Sequence, residues 1–115
     1  MYIIEKTFEI SAAHKLNLSY KSMCNELHGH NWKITVHCAS EKLNSDGMVF
    51  DFKIIKDLVS KRLDHAYLND NLGQYINPTA ENLAKYICDY LGETCIQVDV
   101  WESEGNKATY IRDIK

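Results

Sequence analysis

His28-Gly29-His30-Asn31-Trp32-Lys33-Ile34-Thr35-Val36-His37-Cys38-Ala39-Ser40-Glu41 alternates in character, with Trp32, Ile34, Val36 and Cys38 on one parity and Lys33 and Thr35 on the other. That is the period of a half-buried strand. Upstream, Tyr2 to His14 alternates in the same way, Ile4, Phe8, Ile10 and Ala12 against Glu5, Thr7, Glu9 and Ser11. A loop rich in Asn, Ser and Lys joins the two, from about Lys15 to Leu27. Downstream, Asn44-Ser45-Asp46-Gly47 is a turn, and from Asp51 the period changes. Phe52, Ile55, Leu58, Val59 and Leu63 then follow helical spacing. Leu68 to Pro78 reads as loop. Thr79 is placed to cap a second helix with the stripe Ala80, Leu83, Ala84, Ile87 and Leu91, stopped by Gly92. Ile96, Val98 and Val100 alternate again, and Glu104-Gly105-Asn106 turns the chain into a last strand, about Lys107 to Asp113.

The order strand, strand, helix, helix, strand, strand predicts an α+β fold. Four antiparallel strands form one sheet, and two helices inserted between strands 2 and 3 pack on one face. Two sheet edges stay open and invite pairing with another subunit, so a homo-oligomer is expected. The 115 residues fit a single domain, 1–115, without linker or internal repeat. The formal charge of −3 is a poor match for a nucleic-acid backbone. No run approaches the ~20 apolar residues of a membrane helix, and the first residues lack a signal-peptide layout. A cytoplasmic protein is expected, with no membrane or nucleic-acid partner. The four cysteines, Cys24, Cys38, Cys88 and Cys95, are then free thiols.

Chemistry is read from polar residues on the apolar parity. His14 ends the apolar face of strand one, and His28 and His30 open that of strand two, both on the same side. Three converging neutral imidazoles are the ligand set of a zinc ion that keeps a fourth position free. Gly29 between them would permit close backbone approach. His37 falls on the polar parity and reads as an exposed strand residue. Cys24 lies four residues before His28. A thiolate there is a competent base or nucleophile; the alternatives are a fourth zinc ligand or an inert loop thiol. Cys38, Cys88 and Cys95 are explained by core packing. Asp64-His65 follows the first helix, as a partner of the helix dipole or as a general acid/base with a supporting carboxylate. Glu102 extends the face of Ile96, Val98 and Val100; it either faces water or meets a ligand offering two adjacent N–H groups.

Phe8-Glu9-Ile10-Ser11-Ala12-Ala13-His14, Cys24-Asn25-Glu26-Leu27-His28-Gly29-His30, Asp64-His65-Ala66-Tyr67-Leu68-Asn69 and Asn77-Pro78-Thr79-Ala80-Glu81-Asn82 resemble, in order and spacing, the 6-pyruvoyl-tetrahydropterin synthase family. Its short bacterial members, the 6-carboxy-tetrahydropterin synthases of the queuosine pathway, are the most similar. The resemblance covers nearly the whole chain. It implies a tunnelling fold (T-fold), in which sheets of several subunits join into a barrel, typically a hexamer of two trimers. It implies Zn2+ on His14, His28 and His30, and Cys24 as proton acceptor. His65 would be the acid/base relay supported by Asp64. Glu102 would anchor the pterin, with Thr79 as a second substrate contact. The implied reaction converts 7,8-dihydroneopterin triphosphate to 6-carboxy-5,6,7,8-tetrahydropterin, releasing acetaldehyde and triphosphate. Glu26 keeps an aldolase-like activity on dihydroneopterin open beside it, and a pyruvoyl product is a further alternative, set by how the substrate side chain is held. Outside the family, a zinc hydrolase or a non-catalytic zinc-binding assembly module fits the same three histidines. Lys15, Lys33, Lys107 and Arg112 are the cations available to a triphosphate.

Overall fold

The computed structural model describes residues 1–113. Strands β1 (Tyr2–His14) and β2 (His28–Ser40) pair antiparallel along their full length, from Tyr2 opposite Ser40 to His14 opposite His28. Helix α1 (Phe52–Leu63) follows, started by Asp51, whose carboxylate accepts from the Lys53 N–H. Then come a two-residue strand β3 (Ala66–Tyr67), a short helix α2 (Leu68–Leu72) and helix α3 (Ala80–Leu91). A hairpin of β4 (Cys95–Ser103) and β5 (Asn106–Ile111) completes the sheet, in the order β3-β1-β2-β4-β5.

The α+β architecture expected from the sequence stands, with α1 and α3 on one face of the sheet. Ile55, Val59 and Leu63 of α1 and Leu83, Ala84, Ile87 and Cys88 of α3 lie buried against Phe8, Ile10, Trp32, Ile34, Val36, Val98 and Val100. Each such aliphatic side chain removed from water contributes roughly 1.5–3 kcal/mol, which holds the helices to the sheet. Arg112 fastens the far end of α3 to the sheet: its guanidinium donates to the carbonyls of Cys88, Gly92 and Cys95. That engagement removes it from the cations available to a phosphate.

Among the described residues the strand count is five, not four, and the sheet is not wholly antiparallel. Strand β3 runs parallel to β1, pairing Ala66 with Ala12 and Tyr67 with Ala13. Two residues carry no alternation to read. What makes them a strand is tertiary: the His65 N–H donates to the Ser11 carbonyl at 2.6 Å, and the Ser11 N–H donates to the Asp64 carboxylate at 2.8 Å. The helix count also rises, because α2 occupies the start of the expected loop. Leu68 and Leu72, one turn apart, are both buried, and Gly73 ends the helix at φ 94°. The final strand stops at Ile111, two residues before the expected Asp113.

His37 is not the exposed residue its parity predicts. Its side chain is 13% exposed, Nδ1 lying 2.9 Å from Glu5 Oε1 and Nε2 2.7 Å from Asp99 Oδ2. The register sets Glu5 and Gln97 opposite His37 on either side, so the face away from the helices carries a polar network of its own. Thr109, Gln97 and His37 all bond the Asp99 carboxylate and hold it below the usual carboxylate range against the opposing effect of burial. Cys38, Cys88 and Cys95 are buried free thiols, as expected. Cys95 is pushed up to about 12 by its hydrogen bond to Cys38, and Cys88 is pushed up by Cys95 and by burial, so neither thiol is reactive. Among the described residues, no helix is long and apolar enough to cross a membrane.

Candidate metal centre and its cleft

Antiparallel pairing puts His14, the last residue of β1, directly opposite His28, the first of β2, with His30 two residues further along. The three rings meet edge to face, with centroids 4.4, 5.2 and 4.8 Å apart. Trp32 supports them from the core side. Its ring lies 5.0 Å from His14 and 5.3 Å from His30, and its indole N–H donates to the Ala12 carbonyl.

The hydrogen bonds decide which ring atoms face inward. His14 Nδ1 lies 2.7 Å from the Pro78 carbonyl and His28 Nδ1 lies 2.7 Å from the Glu26 carbonyl. A carbonyl only accepts, so both Nδ1 atoms carry the proton. Both Nε2 atoms are then lone-pair bearers in the neutral rings, yet they stand 2.9 Å apart. Either a proton or a cation must lie between them. Burial lowers the His14 and His30 imidazoles below their ordinary value and so opposes the proton. His30 Nε2 is buried without a hydrogen-bond partner, an orphan that a metal would satisfy. The donor set therefore fits a metal ion of the zinc class.

Glu102 completes the cluster. Ligand atoms of His14, His28, His30 and Glu102 all lie within 4.8 Å of one another. Between Trp101 and Ser103 the register against β5 shifts, from Lys107 opposite Trp101 to Asn106 opposite Ser103, so Glu102 is the extra residue of a bulge. Bulges re-aim side chains. Its Oε1 stands 3.3 Å from His30 Nε2 without the alignment of a hydrogen bond.

The remaining expected site residues take different places. Cys24 sits in a single 3-10 turn, Met23–Asn25, started by the Ser22 hydroxyl, and its carbonyl accepts from the Leu16 N–H. It is half-buried and not a member of the converging set. Asp64 ends α1 and is locked to β1 through Ser11. His65, at φ 60°, is the one non-glycine in the left-handed region among the described residues, and its side chain is 83% exposed, 3.6 Å from the Asp64 carboxylate. Such backbone strain persists only where the surroundings enforce it. His65 lines a cleft of about 450 Å³ together with Ser11, Gly29, His30 and Asn31. A Cβ on Gly29 would meet only the Ala12 carbonyl at 3.7 Å, so glycine is not needed for backbone approach. Glu102 lines a second cleft, of about 430 Å³, with Ala80, Glu81 and Lys107. The Thr79 hydroxyl caps α3, accepting from the Asn82 N–H. Lys33 and Lys107 both lie over the Trp101 ring, at 4.5 and 5.0 Å.

Sequence reasoning missed the fixing groups. The Pro78 and Glu26 carbonyls set the tautomers, and backbone atoms leave no side-chain signal. Asn69 and Asn77 each exchange two hydrogen bonds with the backbone, of Lys15 and Asn17, and so fasten the Cys24 loop. Asparagine imitating a strand partner is the one cue available to find them.

The sequence profile of the family described as 6-pyruvoyl tetrahydropterin synthase matches residues 3–113. The chain is 38% identical over 122 aligned residues to a Synechocystis protein named 6-carboxy-5,6,7,8-tetrahydropterin synthase, covering 96% of this chain and 93% of the relative. A Bacillus subtilis protein of the same name is 32% identical, with 93% and 83% covered. Among solved structures, Caenorhabditis elegans 6-pyruvoyl tetrahydropterin synthase superposes with a TM-score of 0.77 at 26% identity, covering 97% of this chain and 96% of that one.

Proposed function

Because the chain belongs to the 6-pyruvoyl tetrahydropterin synthase family, we propose that it is a zinc-dependent lyase converting 7,8-dihydroneopterin triphosphate to 6-carboxy-5,6,7,8-tetrahydropterin. One water is consumed, supplying the second carboxyl oxygen, and acetaldehyde and triphosphate are released, as a cytoplasmic step of queuosine (7-deazaguanine) biosynthesis. The names of the Synechocystis and Bacillus relatives support the carboxy branch. The observation that carries the reading is the pair of facing Nε2 lone pairs on His14 and His28, 2.9 Å apart beside an orphaned His30 nitrogen.

When bound by His14, His28 and His30, zinc supplies Lewis acidity toward the side-chain hydroxyls of the substrate. The other roles belong to the chain. Cys24, as thiolate, accepts the proton from the side-chain carbon next to the ring. His65, exposed on the cleft wall and backed by Asp64, handles the counter-protonation. Glu102 accepts two N–H groups of the aminopyrimidinone edge, and the Thr79 hydroxyl, still free to donate, is a second contact. The subunits assemble as two trimers through their open edges, since β3 covers β1 only at Ala12 and Ala13.

Incubating the zinc-loaded protein with dihydroneopterin triphosphate and identifying products by mass tests the reading. The carboxypterin with equimolar acetaldehyde is expected. A pyruvoyl product or aldolase-type cleavage would move the chain to another branch, and no turnover would leave the assembly-module reading.

A further inference from the structure

Resting on the pterin reading above, the geometry points to a second duty for Glu102: it is the fourth protein ligand of the metal in the empty enzyme, and it leaves the metal when a pterin ring takes its carboxylate. Four nitrogen and oxygen ligands at about 2.0–2.1 Å from zinc stand about 3.4 Å apart in a tetrahedron. The His30 Nε2 to Glu102 Oε1 separation of 3.3 Å is one such edge, and the His14–His28 pair at 2.9 Å is a slightly compressed one. The His30–Glu102 contact is not a hydrogen bond, so neither group satisfies the other and both are left for a third partner. Among the described residues the Glu102 carboxylate has no other polar partner, although its side chain is only 29% exposed. The bulge that carries it also places it in the wall of the cleft beside Ala80 and Lys107, away from the histidines. One carboxylate thus borders both the metal ligands and the space for a ring. With Glu102 on the metal the site is a closed four-ligand set; with Glu102 on a pterin edge the fourth position opens to substrate. Ring recognition and metal opening are thereby one event, and the coupling is reciprocal.

Cobalt(II)-loaded protein reads this out without turnover. Azide, a small metal-directed anion, is titrated by visible absorption with and without saturating 6-methylpterin, which has the ring edge but no side-chain hydroxyls. In the wild type 6-methylpterin should tighten azide binding about tenfold, within the usual range of coupling between sites. Glu102→Gln should bind azide at the tightened level without any pterin, and should hold zinc more weakly by at least the roughly 10–100-fold that loss of an outer-shell partner costs. Equal zinc affinity in Glu102→Gln and wild type overturns the ligand role, and azide binding indifferent to bound 6-methylpterin overturns the exchange. Pterin fluorescence separates the underlying reading: if 6-methylpterin never binds, the substrate assignment falls, while the zinc affinities still decide whether Glu102 is a ligand.

Discussion

In the proposed metal centre a proton and a metal ion would compete for the same nitrogen atoms of His14, His28 and His30. Burial, the largest influence on His14 and His30, lowers both below the ordinary 6.5. Between the folded and unfolded values the unfolded chain binds more protons, so stability rises with pH there. The metal-free protein should therefore keep its full stability above pH 6.5 and lose it progressively as pH falls below that value. Denaturant midpoints measured from pH 8 to 5 check this, and a flat profile would refute it. Metal should leave in the same direction, since it binds only the neutral rings. Cys24 lies outside the converging set, which separates its role from that of the ligands. Cys24→Ala should retain the metal while turnover falls about 10²–10⁴-fold, the usual contribution of a positioned proton acceptor. Metal content and product formation rate are measured together. If the metal is lost, Cys24 is a ligand; if the rate survives, Glu26 is the carboxylate to exchange next.

Helix α3 shows how an element places a site it does not itself contain. Thr79 caps it, and the preceding Pro78 carbonyl accepts from His14, so the start of the helix is also the wall that orients one ring of the proposed metal centre. Thr79→Ser keeps the capping hydroxyl and should leave stability unchanged. Thr79→Ala should cost about 1 kcal/mol, the usual value of a cap. Thermal denaturation measures that cost, while pterin affinity of the two variants tells capping from substrate contact: a cap alone predicts equal affinity in both. At the start of the same helix the motif Asn77-Pro78-Thr79 was legible as a cap, whereas the Asn77 bonds to Asn17 were not, because their sequence separation of 60 leaves no local pattern.

In the whole molecule, the long strands β1 and β2 outrun their covering. Two residues of β3 protect the β1 edge, and nothing among the described residues protects the outer edge of β5. Tyr2, Ile3 and Ile111, at 50, 62 and 65% exposure, place apolar side chains along those edges. Sedimentation should give a particle several times the 13.3 kDa chain mass. Inactive variants altered at Cys24 and at His65 should restore activity on mixing if different chains serve one cleft. A fully active monomer would exclude assembly through the edges.

Periodicity alone determined the two long strands, the two packing helices, the closing hairpin and the placing of three histidines on one face, because each is a repeat read over neighbouring residues. The same parity argument failed for His37, whose neighbours Glu5 and Asp99 come from other strands and bury a polar position. Tertiary structure decided what depends on distant backbone: the β3 strand built on Ser11, the tautomers set by Pro78 and Glu26, and the bulge that turns Glu102 onto His30. A carbonyl or a bulge has no signature in the side chains beside it, since the hydrogen bonds that define it are completed only when strands far apart in sequence come into register.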